Sequence, residues 1–82
     1  MKKYYVYILK SELDGRLYKG YTEDLLQRLK EHNSGKSKST KGYKPWKIVY
    51  FEEFITQHEA LSREKYFKTG SGREYLKMKL AT

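Results

Sequence analysis

In the first quarter of the chain, apolar and aromatic positions fall in short, dense blocks rather than at helical spacing. Tyr4-Tyr5-Val6-Tyr7-Ile8-Leu9 is rich in β-branched and aromatic side chains and predicts a strand. Asp14-Gly15 is a turn dipeptide, and Arg16-Leu17-Tyr18-Lys19-Gly20-Tyr21 resumes β character. The two blocks predict an antiparallel hairpin with a loop around Lys10 to Gly15. The period then changes. Thr22 can cap a helix with Glu23 and Asp24 in its first turn, where the helix dipole favours acids, and the helix should run to about Asn33 and stop at Gly35. Lys36 to Pro45 is polar, basic and interrupted by breakers, which predicts a loop longer than the usual connection, open to a binding role or to service as a solvated linker. Trp46 to Phe54 reads as a third strand, with Ile48, Tyr50 and Phe54 on one face and Val49 and Phe51 on the other. Thr56 and Glu59 match a capping box and open a second long helix, ending near Gly70-Ser71-Gly72, with Arg73 to Leu80 as a short final helix. The order ββαβα plus a short C-terminal helix predicts an α+β domain over residues 1–82, a three-stranded antiparallel sheet flanked by helices.

Polar residues that fall on apolar faces mark candidate chemistry. On a helical wheel, Leu25, Leu26 and Leu29 define the apolar arc of the first helix; His32 falls inside or beside it, and Arg28 lies at its edge, four residues earlier on the same face. In the second helix Ala60, Leu61 and Phe67 define the arc and Glu64 sits in its middle. A carboxylate there must be paired, hydrogen-bonded or metal-bound, because burying it bare costs several kcal/mol. Each residue alone has a structural explanation, but three inward polar groups in a small basic chain point to a site. His58, in the first turn of the second helix with no partner suggested, reads as solvated.

Charge changes the picture further. Lys and Arg number 18 against 10 Asp and Glu, a formal net charge of +8, which favours polyanionic partners. Nine tyrosines and one tryptophan among these cations favour nucleic acid, since aromatic faces stack on bases. There is no cysteine, so disulfides and thiolate metal sites are excluded. No apolar run approaches the roughly 20 residues that span a bilayer, and no signal peptide is visible, so the expected location is the cytoplasm, with no membrane partner. Oligomeric state is left open.

Taken in order, these residues resemble the GIY-YIG nuclease family, the domain of phage homing endonucleases and of the excision-repair nuclease. Tyr5-Val6-Tyr7 stands where the family has Gly-Ile-Tyr, and Tyr18-Lys19-Gly20 where it has Tyr-Ile-Gly, with eleven positions between Tyr7 and Tyr18. Arg28 follows ten positions after Tyr18, His32 takes the histidine position of many members, and Glu64 matches the metal-binding glutamate. The resemblance runs from Tyr4 to about Lys77 and is nearest in style to short, free-standing bacterial members related to the excision-repair domain. Tyr5 replaces the family's glycine, Lys19 its isoleucine, and Tyr21 stands where some members carry a lysine. No second domain to select a target is expected from these residues.

The resemblance implies a metal-dependent endonuclease that hydrolyses phosphodiester bonds, with DNA the expected substrate and repair or processing the expected role. It implies Tyr7 as general base or its positioner, Tyr18 orienting water or phosphate, and Glu64 as ligand to one hard divalent ion, Mg²⁺ or Mn²⁺. Arg28 can fork onto a phosphate oxygen, and His32 can shuttle a proton or bind phosphate. A phenol with an ordinary pKa of about 10 needs nearby cations or metal-bound water to act as a base near neutral pH. Lys19, Lys36, Lys38, Lys41 and Lys44 are the expected nucleic-acid contacts. The competing readings are a nucleic-acid-binding module of the same fold without turnover, and a protein-interaction or structural domain that has kept the fold and lost the reaction.

Overall fold

A computed structural model describes residues 2–81. The hairpin forms as its turn chemistry predicts: β1 (Tyr4–Ser11) pairs antiparallel with β2 (Leu17–Thr22), and Gly15 N–H closes the turn onto the Ser11 carbonyl at 2.9 Å. β3 (Trp46–Phe54) adds antiparallel to the other side of β1, giving the strand order β2-β1-β3. Around this sheet stand α1 (Leu25–Asn33), α2 (Gln57–Phe67) and α3 (Gly70–Leu80). The α+β class and the three-stranded antiparallel sheet are as the sequence predicts.

Because side chains alternate along a strand, β1 divides its residues between two layers. Val6 and Ile8 are fully buried against Ala60 and Phe67 of α2 and Leu76 of α3. Tyr7 and Leu9 point the other way, with Trp46, into a cluster closed by Leu25 and Leu29 of α1. The helices therefore flank the sheet on opposite sides.

The facing predicted for β3 needs correction. A bulge opposite Ile8 and Leu9 leaves Ile8 paired with Tyr50 and Leu9 with Ile48, so Val49 is the extra residue. An extra residue shifts the alternation by one. Ile48 accordingly joins Trp46 on the α1 side, while Val49 packs with Tyr50 and Phe54 on the α2–α3 side.

Three helix features also differ from the sequence expectation. Thr22 is still in β2, and its hydroxyl accepts from Asp24 N–H at 3.1 Å; Asp24 is the cap, accepting from Gln27 N–H at 3.1 Å, and the first turn contains no acid. Leu26 is 73% exposed and Leu61 42% exposed, so neither belongs to its helix's buried arc. The helix expected from Arg73 starts at Gly70, and the one expected to reach Gly70 ends at Phe67. Thr69 caps α3 by accepting from Gly72 N–H at 3.1 Å. Gly72 serves close approach rather than chain breaking: a Cβ there would lie 1.9 Å from the Tyr66 carbonyl oxygen. Thr56 caps α2 through Glu59 N–H at 3.2 Å, as the capping box predicts.

Candidate active site on the α1 face

The α1 side of the sheet gathers Tyr7, Tyr18 and His32. Ring centroids lie 6.4 Å apart for Tyr7 and Tyr18, 5.9 Å for Tyr7 and His32, and 5.0 Å for Tyr18 and His32. Tyr7 comes from the central strand and lies across Gly20 of β2, its cross-strand partner. A Cβ at position 20 would stand 2.3 Å from the Tyr7 hydroxyl oxygen, so the glycine of Tyr18-Lys19-Gly20 leaves room for the first-motif tyrosine. The two short motifs are therefore halves of one packing arrangement across adjacent strands.

His32 is fully buried, and both ring nitrogens are engaged: Nε2 lies 2.9 Å from the Tyr7 hydroxyl and Nδ1 2.8 Å from Thr40 Oγ1. Arg28, one turn earlier on α1, is half-buried and faces the Tyr7 phenol, while Glu31 Oε1 holds its guanidinium at 2.8 Å. These neighbours set the proton affinities. Burial pushes the Tyr7 phenol above its ordinary value, against the opposing pull of Arg28. Burial, and then the Arg28 charge, hold His32 below the ordinary histidine value, with Glu31 acting in the opposite sense. A tyrosine base calls for cations that lower its pKa; Arg28 is such a cation, but loss of solvent outweighs it. The site at rest is a neutral phenol hydrogen-bonded to a neutral imidazole.

Glu64 does not occupy the centre of a buried arc. Its side chain is 22% exposed at the rim of α2, and its partner is Lys68 Nζ at 3.4 Å. It lies near enough for its charge to oppose ionisation of Tyr7. No group of three or more metal-ligating His, Cys, Asp or Glu side chains occurs among the described residues. A single, largely covered carboxylate held by a lysine contact at 3.4 Å suits a hard, largely hydrated divalent ion, which needs few protein ligands.

The predicted nucleic-acid contacts separate. Lys36, Lys38, Lys41 and Lys44 are exposed on the connection between α1 and β3. Lys19 pairs across the strands with Ile8 and so faces the α2–α3 side, where burial and the charges of Arg73 and Lys68 lower its pKa. Also on that side, a groove of about 600 Å³ is lined by Lys10, Arg73, Lys77 and Lys79 over Leu17 and Leu80. His58 is exposed, as expected.

Thr40, Trp46 and Asn33 complete the site, and sequence reasoning did not assign them to it. The Trp46 indole N–H donates to the Thr40 carbonyl at 2.8 Å, and Asn33 bridges the Trp46 backbone, donating to its carbonyl at 3.0 Å and accepting from its N–H at 2.6 Å. Ser11 Oγ donates to the Tyr43 carbonyl at 2.6 Å, and Lys41–Tyr43 forms a 3-10 turn. The basic connection is thus fastened to the sheet rather than being a solvated linker. A threonine in a run of lysines and serines carries no periodic signal of burial, and Asn33 reads only as a helix end.

The fold, the paired tyrosine motifs and their arginine, histidine and glutamate define a member of the GIY-YIG family, a nuclease superfamily, and residues 3–79 match the GIY-YIG catalytic domain. The chain is similar to a UPF0213 protein of Staphylococcus saprophyticus, 46% identical over 79 residues, 95% of each chain. It is also similar to a UPF0213 protein of Clostridium perfringens, 52% identical over 65 residues, covering 78% of this chain and 69% of that protein. Among solved structures, the solution NMR structure of a UPF0213 protein from Bacillus halodurans aligns with a TM-score of 0.55 at 39% identity, covering 90% of this chain and 81% of that one.

Proposed function

We propose that this chain is a metal-dependent endonuclease that hydrolyses phosphodiester bonds in nucleic acid, with DNA its substrate and repair or processing, in the cytoplasm, its role. The observation that carries this reading is the buried Tyr7–His32 pair, 2.9 Å between hydroxyl oxygen and Nε2, beside an arginine. The pairing gives each buried polar group its partner and also gives the phenolic proton an acceptor at Nε2, beside a cation that can meet phosphate.

In this mechanism the Tyr7 oxygen takes a proton from the attacking water as the phenolic proton passes to His32 Nε2. The phenol then need not ionise on its own, which its raised pKa would resist. Arg28 sits where its free N–H groups can meet a phosphate oxygen and stabilise the charge that develops there. Tyr18, in edge contact with His32, lines the same surface and orients water or phosphate. Glu64 would hold a Mg²⁺ or Mn²⁺ ion, which when bound supplies charge neutralisation at the phosphate. Lys36, Lys38, Lys41 and Lys44 extend the cationic surface along the polyanion.

The test is cleavage of labelled branched, single-stranded and duplex DNA with Mg²⁺ or Mn²⁺, wild type beside Glu64→Ala. Metal-dependent cutting by the wild type that the variant loses is the expected result. Equal cutting by both would overturn the assignment of Glu64. Salt-sensitive binding without cutting of DNA or RNA by either protein would establish a binding module instead.

A further inference from the structure

Thr40 is fully buried although it lies between exposed lysines, and every polar atom it carries is committed. Its N–H donates to the Ser37 carbonyl at 3.2 Å, and its carbonyl accepts the Trp46 indole N–H at 2.8 Å. Its hydroxyl lies 3.4 Å from the Ser37 carbonyl oxygen and 2.8 Å from His32 Nδ1.

A hydroxyl has one proton to give, and a carbonyl can only accept. The Thr40 proton has two acceptors in reach, the Ser37 carbonyl and Nδ1; when it goes to Ser37, the lone pairs on Oγ1 face the ring and Nδ1 is the nitrogen that carries hydrogen. A neutral imidazole has one donor and one acceptor, so Nε2 is left as the acceptor facing the Tyr7 hydroxyl. The opposite tautomer would have Nε2–H donating to the phenol oxygen, which Arg28 also faces, and would leave the phenolic hydrogen needing another acceptor.

We propose that Thr40 is a positioning residue: its buried hydroxyl holds His32 as the Nδ1–H tautomer, so that the ring takes the Tyr7 proton at Nε2. This rests on the reading of Tyr7 and His32 as the proton path. In the step concerned, a water O–H bond breaks and its proton goes to the Tyr7 oxygen, while the phenolic O–H proton moves to Nε2. The ring becomes an imidazolium with both nitrogens protonated, and the water oxygen bonds to phosphorus as the P–O bond to the leaving oxygen breaks, that oxygen departing with the electron pair as an alkoxide. The groups facing that imidazolium are Tyr7 from β1, Tyr18 from β2, Arg28 and Glu31 from α1, and Thr40 from the connection. Arg28 disfavours the charge and Glu31 favours it.

Long-range ¹H–¹⁵N spectroscopy of the histidine rings in the metal-free protein reads the tautomer without any activity. The wild type is expected to show Nδ1 protonated and Nε2 bare, Thr40→Ser to keep that state, and Thr40→Val to shift the ring toward Nε2–H. Cleavage assays on the same proteins should show kcat falling on the order of tenfold to a hundredfold in Thr40→Val with KM little changed, and recovering in Thr40→Ser. A wild-type ring in the Nε2–H form would overturn the proposal whether or not the variants fold. So would a Thr40→Val protein that keeps both tautomer and kcat. A tautomer that shifts in Thr40→Val beside an unaltered kcat would leave Thr40 as the tautomer-setting group and remove the Tyr7–His32 proton path. The spectra and the rates thus distinguish failure of the positioning role from failure of the mechanism.

Discussion

Alternate residues of β1 meet two different interiors. Val6 and Ile8 enter a layer filled by Ala60, Phe67 and Leu76, with its polar groups at the rim. There Glu52 accepts from Arg63 at 2.7 and 3.2 Å and from the Tyr50 hydroxyl. The Arg63 guanidinium rests 4.7 Å from the Tyr66 and Phe67 ring centroids and 4.9 Å from that of Tyr75. Tyr7 enters the other layer, where Tyr18, His32, Thr40 and Trp46 form a smaller aromatic cluster with hydrogen bonds at its centre. The same strand thus supports an apolar interior whose strength is burial and a polar interior whose members are all satisfied. No buried side-chain nitrogen or oxygen among the described residues lacks a partner. Buried polar networks that are fully satisfied fix geometry, and fixed geometry is what proton transfer requires. On the proposed function, stability and chemistry are divided between the two faces of one sheet.

Substitutions on opposite faces should therefore fail in opposite ways. Tyr7→Phe should cut cleavage by roughly 10²- to 10⁴-fold. The folded state should lose only about 1–3 kcal/mol from the orphaned His32 nitrogen. Turnover and denaturant melts of the same preparation check this, and a variant that unfolds but cleaves normally when folded would reverse the assignment of the faces. Phe67→Ala should do the converse, costing about 3–5 kcal/mol of stability by the cavity it leaves. Its folded fraction, measured below the melting transition, should keep kcat.

Gly20→Ala joins the two properties. A methyl group 2.3 Å from the Tyr7 hydroxyl oxygen forces the ring off Gly20. Loss of the Tyr7–His32 hydrogen bond, read from the imidazole ¹⁵N shifts, should accompany loss of turnover. An unmoved imidazole signal would show that the strands yield instead of the ring.

His32 gives a smaller, pH-dependent effect. Its folded pKa is depressed, mainly by burial, so the unfolded chain binds its proton first as pH falls. Stability from the neutral ring is complete above the unfolded value of about 6.5 and is lost as pH falls through that value towards the folded one. Chemical melts from pH 8 to pH 5 should show that slope in the wild type, and a His32→Gln protein should lack it.

The smallest expected change concerns binding. Neutralising Lys36, Lys38, Lys41 and Lys44 together should flatten the dependence of log Kd on log salt, by up to about 0.9 for each phosphate that the chain no longer neutralises. Neutralising Lys77 and Lys79 in the groove on the α2–α3 side should leave the slope unaltered. A larger effect from the groove pair would move the nucleic acid to the other side of the sheet.

Much of this organisation was legible in the chain itself. Local chemistry set the hairpin at Asp14-Gly15, the α2 cap at Thr56 and Glu59, and the inward histidine of α1, because turns, caps and amphipathic spacing depend on residues within a few positions of one another. The order of Tyr7, Tyr18, Arg28, His32 and Glu64 carried the family signature because order and spacing are read along the chain itself. What lay beyond reach depended on partners distant in sequence. The bulge at Val49 is a property of two strands in register, and it alone decides which face Ile48 joins. The rise in the Tyr7 pKa comes from the solvent that α1 and the neighbouring strand exclude, and the rim position of Glu64 from how α2 rests on the sheet. Thr40 is the clearest case: 33 residues from Tyr7 in sequence, it reaches the phenol through one imidazole, and only tertiary packing brings that hydroxyl out of water.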